Sequence, residues 1–419
     1  MGYNKKRSSP AGWEGILLGK EEHAMLKTII KRSGEKVPFD ASKIRGAIFK
    51  ANVRNATEKM SDKQLDQLTQ AVVAELEKMK ETVLVTGGAG YIGSHTTVEL
   101  IGAGYDVVIV DNLSNSEFGA VEGVRKITGV EVPFEQVDCT DKEAMARIFD
   151  KYKFNSIIHF AASKAVGESV DKPLLYYRNN LQSLITILEL MRDKGVRNIV
   201  FSSSCTVYGQ PEVLPVTEQT PRQSAQSPYG NTKQICEDIL RDTVHAYPAI
   251  YGIALRYFNP IGAHPSALIG ELPKGVPMNL VPFITQTAAG LRECLSVFGD
   301  DYDTPDGSAV RDYIDVTDLA RAHVVAVDRM TGGKSKGNYE FFNVGTGKGL
   351  SVLELIAEFE KATGVKVNHK IVGRRAGDIE KIWADTSFAN RELGWKAQRS
   401  TGETLLSAWN WEKRLRGIK

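Results

Sequence analysis

Nothing in this sequence organises a disulfide framework. Its four cysteines, Cys139, Cys205, Cys236 and Cys294, are spread widely over 419 residues and form no C-x-x-C pair. That suits free thiols in a reducing compartment. Also missing is any apolar run near the roughly 20 residues that cross a bilayer. Basic Lys5-Lys6-Arg7 has no apolar stretch of signal-peptide length behind it, because Trp13–Leu18 is short and runs into Lys20-Glu21-Glu22. The expectation is a cytoplasmic protein with no membrane segment. A surplus of one charge is lacking too: 53 Lys and Arg stand against 51 Asp and Glu, so nothing favours a nucleic-acid partner. The seven histidines show no paired metal-ligand spacing, and no metal site is expected. His159 lies in a core strand and His264 in a loop, and neither is read as a ligand. Internal repeats and low-complexity segments are absent.

What is present is an ordinary globular composition, 42% hydrophobic and 25% charged, in a chain long enough for two or three domains. The charge is unevenly placed. Residues 1–80 carry 16 Lys and Arg against 10 Asp and Glu, and the rest carry 37 against 41. A mildly basic appendage thus precedes a mildly acidic body. Residues 1–26 read as a flexible tail. Two short apolar runs around Gly34, from Thr28 to Phe39, predict a β-hairpin. Asp40 then caps a helix carrying Ile44, Ile48 and Phe49, and a second helix runs from Ser61 to about Met79 with Leu65, Leu68, Val72, Val73 and Leu76 along one stripe.

From Thr82 the pattern alternates strand and helix. Apolar runs at Val83–Val85, Val107–Val110, Ile157–Phe160, Ile199–Phe201 and Ile253–Leu255, separated by amphipathic stretches, predict an α/β fold with a doubly wound parallel sheet. Beyond Asn259 the spacing becomes irregular and rich in proline and glycine, which predicts a smaller lobe over the sheet's carboxyl edge. The expected division is 27–78, 79–258 and 259–419.

The first strand leads into Thr86-Gly87-Gly-Ala-Gly90-Tyr91-Ile92-Gly93 and then a helix. Glycines there keep the turn tight and bring backbone N–H groups and a helix N-terminus against a pyrophosphate. The spacing is G-x-x-G-x-x-G rather than the commoner G-x-G-x-x-G. Asp111 ends the second strand, 18 residues after Gly93. An acid there hydrogen-bonds ribose hydroxyls and repels a 2′-phosphate, which favours NAD over NADP.

Two segments supply chemistry. Ser202-Ser203-Ser204-Cys205-Thr206-Val207-Tyr208-Gly209 follows a strand, and Ser227-Pro228-Tyr229-Gly230-Asn231-Thr232-Lys233 opens a helix. Tyr229 and Lys233, four residues apart, share a helix face. A phenol near its usual pKa is a poor base at neutral pH, and an ammonium and a nicotinamide cation beside it favour the phenolate. The expectation is that Tyr229 has a lowered pKa and takes a proton from a sugar hydroxyl as hydride leaves the carbon. Ser204 hydrogen-bonds the same oxygen.

From Met79 onward these motifs, with Asp111-Asn-Leu-Ser-Asn115, His159-Phe-Ala-Ala, Lys164-Ala-Val-Gly-Glu-Ser-Val170, Arg256-Tyr-Phe-Asn-Pro260, Val310-Arg-Asp-Tyr-Ile314 and Arg374-Arg-Ala-Gly-Asp378, resemble the UDP-glucose 4-epimerase family of extended short-chain dehydrogenases/reductases. The resemblance implies a Rossmann domain over 79–258 and a mainly UDP-sugar-binding lobe over 259–419. It implies a homodimer that oxidises the sugar at C4, lets the 4-keto sugar rotate, and reduces it again with NAD that stays bound. It implies that Gly87, Gly90, Tyr91, Ile92, Gly93, Asp111, Asn112, Asn115, Asp138, Cys139, Phe160, Ala161, Lys164, Asn179, Tyr229, Lys233 and Tyr257 line the cofactor site. Ser204, Asn259, Asn279, Leu280, Phe298, Arg311, Arg375 and Asp378 are implied to hold the UDP-sugar; planar Arg forks suit a diphosphate independently. Relatives that dehydrate the sugar carry an acidic pair after the strand-end Ser/Thr, where Cys205-Thr206 stand here. Ile382 holds the position that gates the sugar pocket in the family and is neither Tyr nor a small residue, so UDP-N-acetylhexosamines and UDP-uronic acids stay open as alternative substrates. The Trp409–Trp411 pair reads as C-terminal packing.

Residues 27–78, through Ile30-Lys-Arg-Ser-Gly-Glu-Lys-Val-Pro-Phe-Asp40 and Lys43-Ile-Arg-Gly-Ala-Ile-Phe-Lys-Ala51, resemble the first part of an ATP-cone, a small α+β nucleotide-sensing domain. The resemblance implies ATP phosphate contacts from Lys31, Arg32 and Lys36. A half-domain has little core to hold a defined site, which favours a vestigial or partner-packing segment.

Overall fold

A computed structural model describes residues 28–30, 36–38, 40–55, 59–78, 81–375 and 379–418. The chain forms two compact units, Met1–Lys78 and Met79–Lys419. Among the described residues no helix is long and apolar enough to cross a membrane.

In the first unit, Thr28–Ile30 pairs antiparallel with Lys36–Pro38, and helices Ala41–Asn55 and Asp62–Lys78 follow. The expected hairpin and both helices are therefore present. Leu65 is buried, whereas Phe49 and Leu68 are exposed. Arg45 reaches across to Asp62 and Asp66 at 2.8 and 2.5 Å. The expected tail, Lys31 and Arg32 lie outside the described residues.

In the second unit seven described strands form one parallel sheet: β1 (Thr82–Thr86), β2 (Asp106–Val110), β3 (Phe134–Glu135), β4 (Ser156–His159), β5 (Asn198–Ser202), β6 (Tyr251–Tyr257) and β7 (Tyr339–Val344). Their spatial order is β3-β2-β1-β4-β5-β6-β7, so the winding reverses between β1 and β4. The continuous Val/Leu/Ile runs have a simple cause: both faces are covered. Val83 and Val85 pack into the layer with helices Tyr91–Gly102, Gly119–Thr128 and Val316–Thr331. Leu84 packs into the other, with Lys142–Lys151, Pro173–Lys194 and Pro228–Ala246.

The chain beyond Asn259 divides between two places. Val316–Thr331 and β7 return to the sheet, while Leu280–Ala288, Val352–Thr363 and Thr401–Arg416 build a second core around Tyr313, Phe359, Leu405 and Trp409. Trp409 meets Phe359 edge-on at 6.0 Å, as the packing role predicts. A capping box starts this last helix: the Ser400 hydroxyl accepts from the Glu403 N–H, and the Glu403 carboxylate accepts from the Ser400 N–H at 2.9 Å. Ser400→Ala takes the hydroxyl acceptor from the Glu403 N–H while the backbone N–H at 400 keeps its carboxylate partner, and by the usual N-cap scale it is expected to cost about 1 kcal/mol. Thermal unfolding checks this, and an unchanged melting temperature would show that the cap contributes nothing.

Candidate active site

The carboxyl ends of β1, β2, β4, β5 and β6 share one edge, and the winding reversal opens a crevice there. At the end of β1 the Gly87 N–H bonds the Val110 carbonyl at 2.7 Å and Gly87 takes φ +69°. A Cβ there would stand 2.8 Å from the Ala161 nitrogen, and one at Gly93 would stand 2.3 Å from the Gly87 oxygen. Only glycine lets the turn fold this tightly against its neighbours. The helix Tyr91–Gly102 begins at Gly90 with no side-chain cap, so its first N–H groups face outward with the positive end of the helix dipole. Such a cradle fits a pyrophosphate.

Asp111 is buried and ties the cradle together. Its carboxylate accepts from the Ala89 N–H at 3.1 Å, the Leu113 N–H at 2.9 Å and the Ser116 hydroxyl at 2.7 Å. Asn112, exposed beside Asn115, donates to Asp138 at 2.8 Å, which links the loops after β2 and β3. Cys139 is buried next to Asp138. Phe160 and Ala161 continue β4, with Phe160 against His323 at 4.7 Å between ring centres. Asn179 donates to Ser163 at 3.1 Å from the helix Pro173–Lys194. The implied cofactor residues thus converge on one edge. Tyr91 is a partial exception, since its hydroxyl donates to the Gly262 carbonyl at 2.6 Å and pins the second lobe instead.

Ser204 follows β5 and caps the short helix Cys205–Tyr208, accepting from the Thr206 N–H. Tyr229 and Lys233 lie on one face of Pro228–Ala246, which starts as the sequence predicts, with Ser227 as N-cap and Pro228 in the first turn. All three side chains are buried. Lys233 donates to the Ser202 carbonyl at 2.7 Å and lies over the Phe201 ring at 4.9 Å and the Tyr229 ring at 5.8 Å. Burial lowers its pKa to about 8.

The expected lowering of the Tyr229 pKa does not hold in the protein alone. Burial raises it well above the ordinary phenol value, Tyr257 adds to the rise, and the hydrogen bond with Ser204 opposes it. The main cause is burial, because a buried phenolate loses its hydration, and Lys233, 5.8 Å from the ring centre, does not offset that loss. Tyr257 itself bonds the Ser202 hydroxyl at 2.5 Å, and burial pushes it up to about 12.

A small second sheet gathers part of the implied sugar-nucleotide set. Val310–Asp315 pairs with Asn259–Ile261, Gly349–Ser351 and Lys381–Ile382, which puts Tyr313 opposite Asn259 and Arg311 opposite Ile382. Arg311 donates to the Val310 carbonyl at 2.8 Å. Ile382 is buried with Cys205, Phe258 and Ala384. Arg375 lies over Phe298 at 5.1 Å. Asn279 precedes Leu280 at the start of Leu280–Ala288 and donates to Glu271 at 2.5 Å, while Lys164 faces the same carboxylate at 3.5 Å. Asp378 lies outside the described residues. Sequence reasoning missed Glu271 and the buried Glu237–Arg256 pair. Glu237 stands four residues after Lys233, so helical spacing could have flagged it.

Residues 84–407 match the family model described as GDP-mannose 4,6 dehydratase, and residues 27–86 match the ATP cone domain. UDP-glucose 4-epimerase 2 of Arabidopsis thaliana is 51% identical over 336 residues, covering 80% of this chain and 95% of that protein. The chain belongs to the UDP-glucose 4-epimerase family. The bovine member is 48% identical over 341 residues, covering 80% of this chain and 97% of its own. Among solved structures, the epimerase of Bifidobacterium longum in complex with NAD+ and UDP has a TM-score of 0.77 at 48% identity, covering 81% of this chain and all of its own. That of Stenotrophomonas maltophila, with NAD and formylated UDP-arabinopyranose, has 0.78 at 47%, with the same coverage. The family model is described by a dehydratase, yet the acidic pair expected of one is replaced here by Cys205 and Thr206.

Proposed function

We propose that this chain interconverts UDP-galactose and UDP-glucose, using NAD held in the glycine cradle throughout turnover. The observation that carries the reading is the buried Ser204–Tyr229–Lys233 constellation on the same sheet edge as the cradle, without an acidic pair at 205–206. NAD, held at the glycine cradle beside Asp111, would supply the hydride chemistry at the sugar C4. The protein handles the proton. Tyr229 takes it from the C4 hydroxyl as general base and gives it back as general acid. Ser204 hydrogen-bonds the same oxygen, and the Lys233 ammonium favours the phenolate while the proton is away.

Arg311 and Arg375 hold the diphosphate, with Asn259, Asn279, Leu280, Phe298 and Asp378 shaping the nucleotide site. A firm grip on the nucleotide and a loose one on the hexose lets the ketone turn over without leaving. Burial raises the Tyr229 pKa in the protein alone, and the positive charge of an oxidised nicotinamide beside it would favour the phenolate. The reading extends to a cytoplasmic homodimer, on the family resemblance and four thiols free of disulfides; a monomer mass by light scattering overturns the dimer.

The test is an assay of the purified chain with no added NAD. UDP-galactose is expected to reach equilibrium with UDP-glucose with no net NADH. NADH accumulating with an oxidised sugar, no conversion, or conversion only of UDP-N-acetylhexosamines or UDP-uronic acids sinks the assignment.

A further inference from the structure

Behind the catalytic side chains lies a buried charged pair that no step above uses. Glu237 and Arg256 have side chains only 2% and 5% exposed. The guanidinium grips the carboxylate with both prongs, Nε at 2.9 Å and Nη2 at 2.6 Å. Its remaining nitrogen donates to the Tyr208 hydroxyl at 3.0 Å, which donates in turn to Asn343 at 2.6 Å. The guanidinium also lies over the Phe341 ring at 4.1 Å. Arg222 stands at the margin, 3.9 Å from the same carboxylate. Replacing such a pair with apolar side chains is often neutral or stabilising, so stability alone is a weak reason to bury it here.

Its connections supply a better reason. Glu237 sits one turn beyond Lys233 on Pro228–Ala246, and the Ser203 hydroxyl donates to it at 2.5 Å. Ser203 is wholly buried between two residues that work. The Ser202 carbonyl holds the Lys233 ammonium at 2.7 Å, and Ser204 faces Tyr229. We propose that Glu237 is a positioning residue: oriented by Arg256, it pins Ser203 and so sets both the Lys233 anchor and the Ser204 hydroxyl against Tyr229. One carboxylate thereby ties the strand end carrying Ser204 to the helix carrying the other two residues. A hydrogen bond from a hydroxyl to a buried, fixed carboxylate is short and strong, which suits it to holding a segment that must not drift.

The inference rests on the catalytic reading of Ser204, Tyr229 and Lys233, so the experiment carries a control for that reading. Full-length Ser203→Ala and Glu237→Gln are assayed with UDP-galactose beside Tyr229→Phe, with bound NAD counted per chain and melting temperature recorded. Ser203→Ala removes one hydroxyl and leaves the ion pair whole. Misplacement of reacting groups by a fraction of an ångström lowers turnover rather than binding, so kcat per NAD-loaded chain is expected to fall about tenfold, with KM within about twofold. Glu237→Gln, which also strands the Arg256 charge, is expected to fall further, about a hundredfold. Glu237→Gln that does not fold leaves Ser203→Ala to decide. Ser203→Ala with wild-type kcat, whether or not its melting temperature drops, makes the network structural and overturns the proposal. Tyr229→Phe retaining turnover overturns the catalytic reading beneath it.

Discussion

Tyr229→Phe is expected to lose about three orders of magnitude in kcat, the usual range for removing a positioned acid–base group, while retaining NAD and its affinity for the UDP-sugar. The ring is 9% exposed and wedged into a packed slot, so its phenylalanine counterpart keeps the same contacts. What is removed is the hydroxyl that faces Ser204. Lys233 keeps its bond to the Ser202 carbonyl, and the residues proposed to hold the UDP lie in the second lobe. What disappears is the oxygen proposed to carry the C4 proton between steps. Single-turnover measurement of transient reduction of bound NAD, beside steady-state kcat and KM, separates these effects. A variant within tenfold of the native kcat would mean that another group moves the proton, and the assignment of Tyr229 would be withdrawn.

The sheet and the placing of Ser204, Tyr229 and Lys233 at its edge were legible because each rests on a short-range rule. Strands buried on both faces read as apolar runs, a glycine turn precedes a helix, and four residues make one helical turn. The return of the chain as β7 was not legible. Tyr339-Glu-Phe-Phe-Asn-Val interrupts its apolar run with Asn343, which is completely buried because the Tyr208 hydroxyl and the Val216 carbonyl satisfy it. Arg256 hides inside β6 in the same way, neutralised by Glu237. Polar residues buried in pairs look like surface residues until their partners are known, and those partners stand 135 and 19 positions away. The rise in the Tyr229 pKa in the protein alone was not legible either, because spacing puts Lys233 on the right face but does not show how deeply the phenol is buried.

Gly93→Ala is expected to abolish NAD retention, lowering cofactor affinity by at least about a hundredfold, or about 2.7 kcal/mol. Alanine is the better helix former and should stabilise a helix by up to about 1 kcal/mol, so the expected loss runs against local propensity. It follows from space. The new methyl would meet the Gly87 carbonyl oxygen at 2.3 Å and the Gly88 Cα at 2.7 Å, both backbone atoms with no rotamer to retreat to. The helix must therefore draw back from the turn, and the uncapped N–H groups that face the pyrophosphate move with it. The sheet should survive, because Val98, Leu100 and Ile101 still bind this helix to the core. Gly102 offers the matched control at the other end of the same helix: nothing lies within 4 Å of a Cβ built there. Gly102→Ala should keep its NAD and melt slightly higher. NAD released from each purified variant and counted per chain decides the matter. A fully loaded Gly93→Ala protein would mean that close approach of helix and turn is not what holds the cofactor.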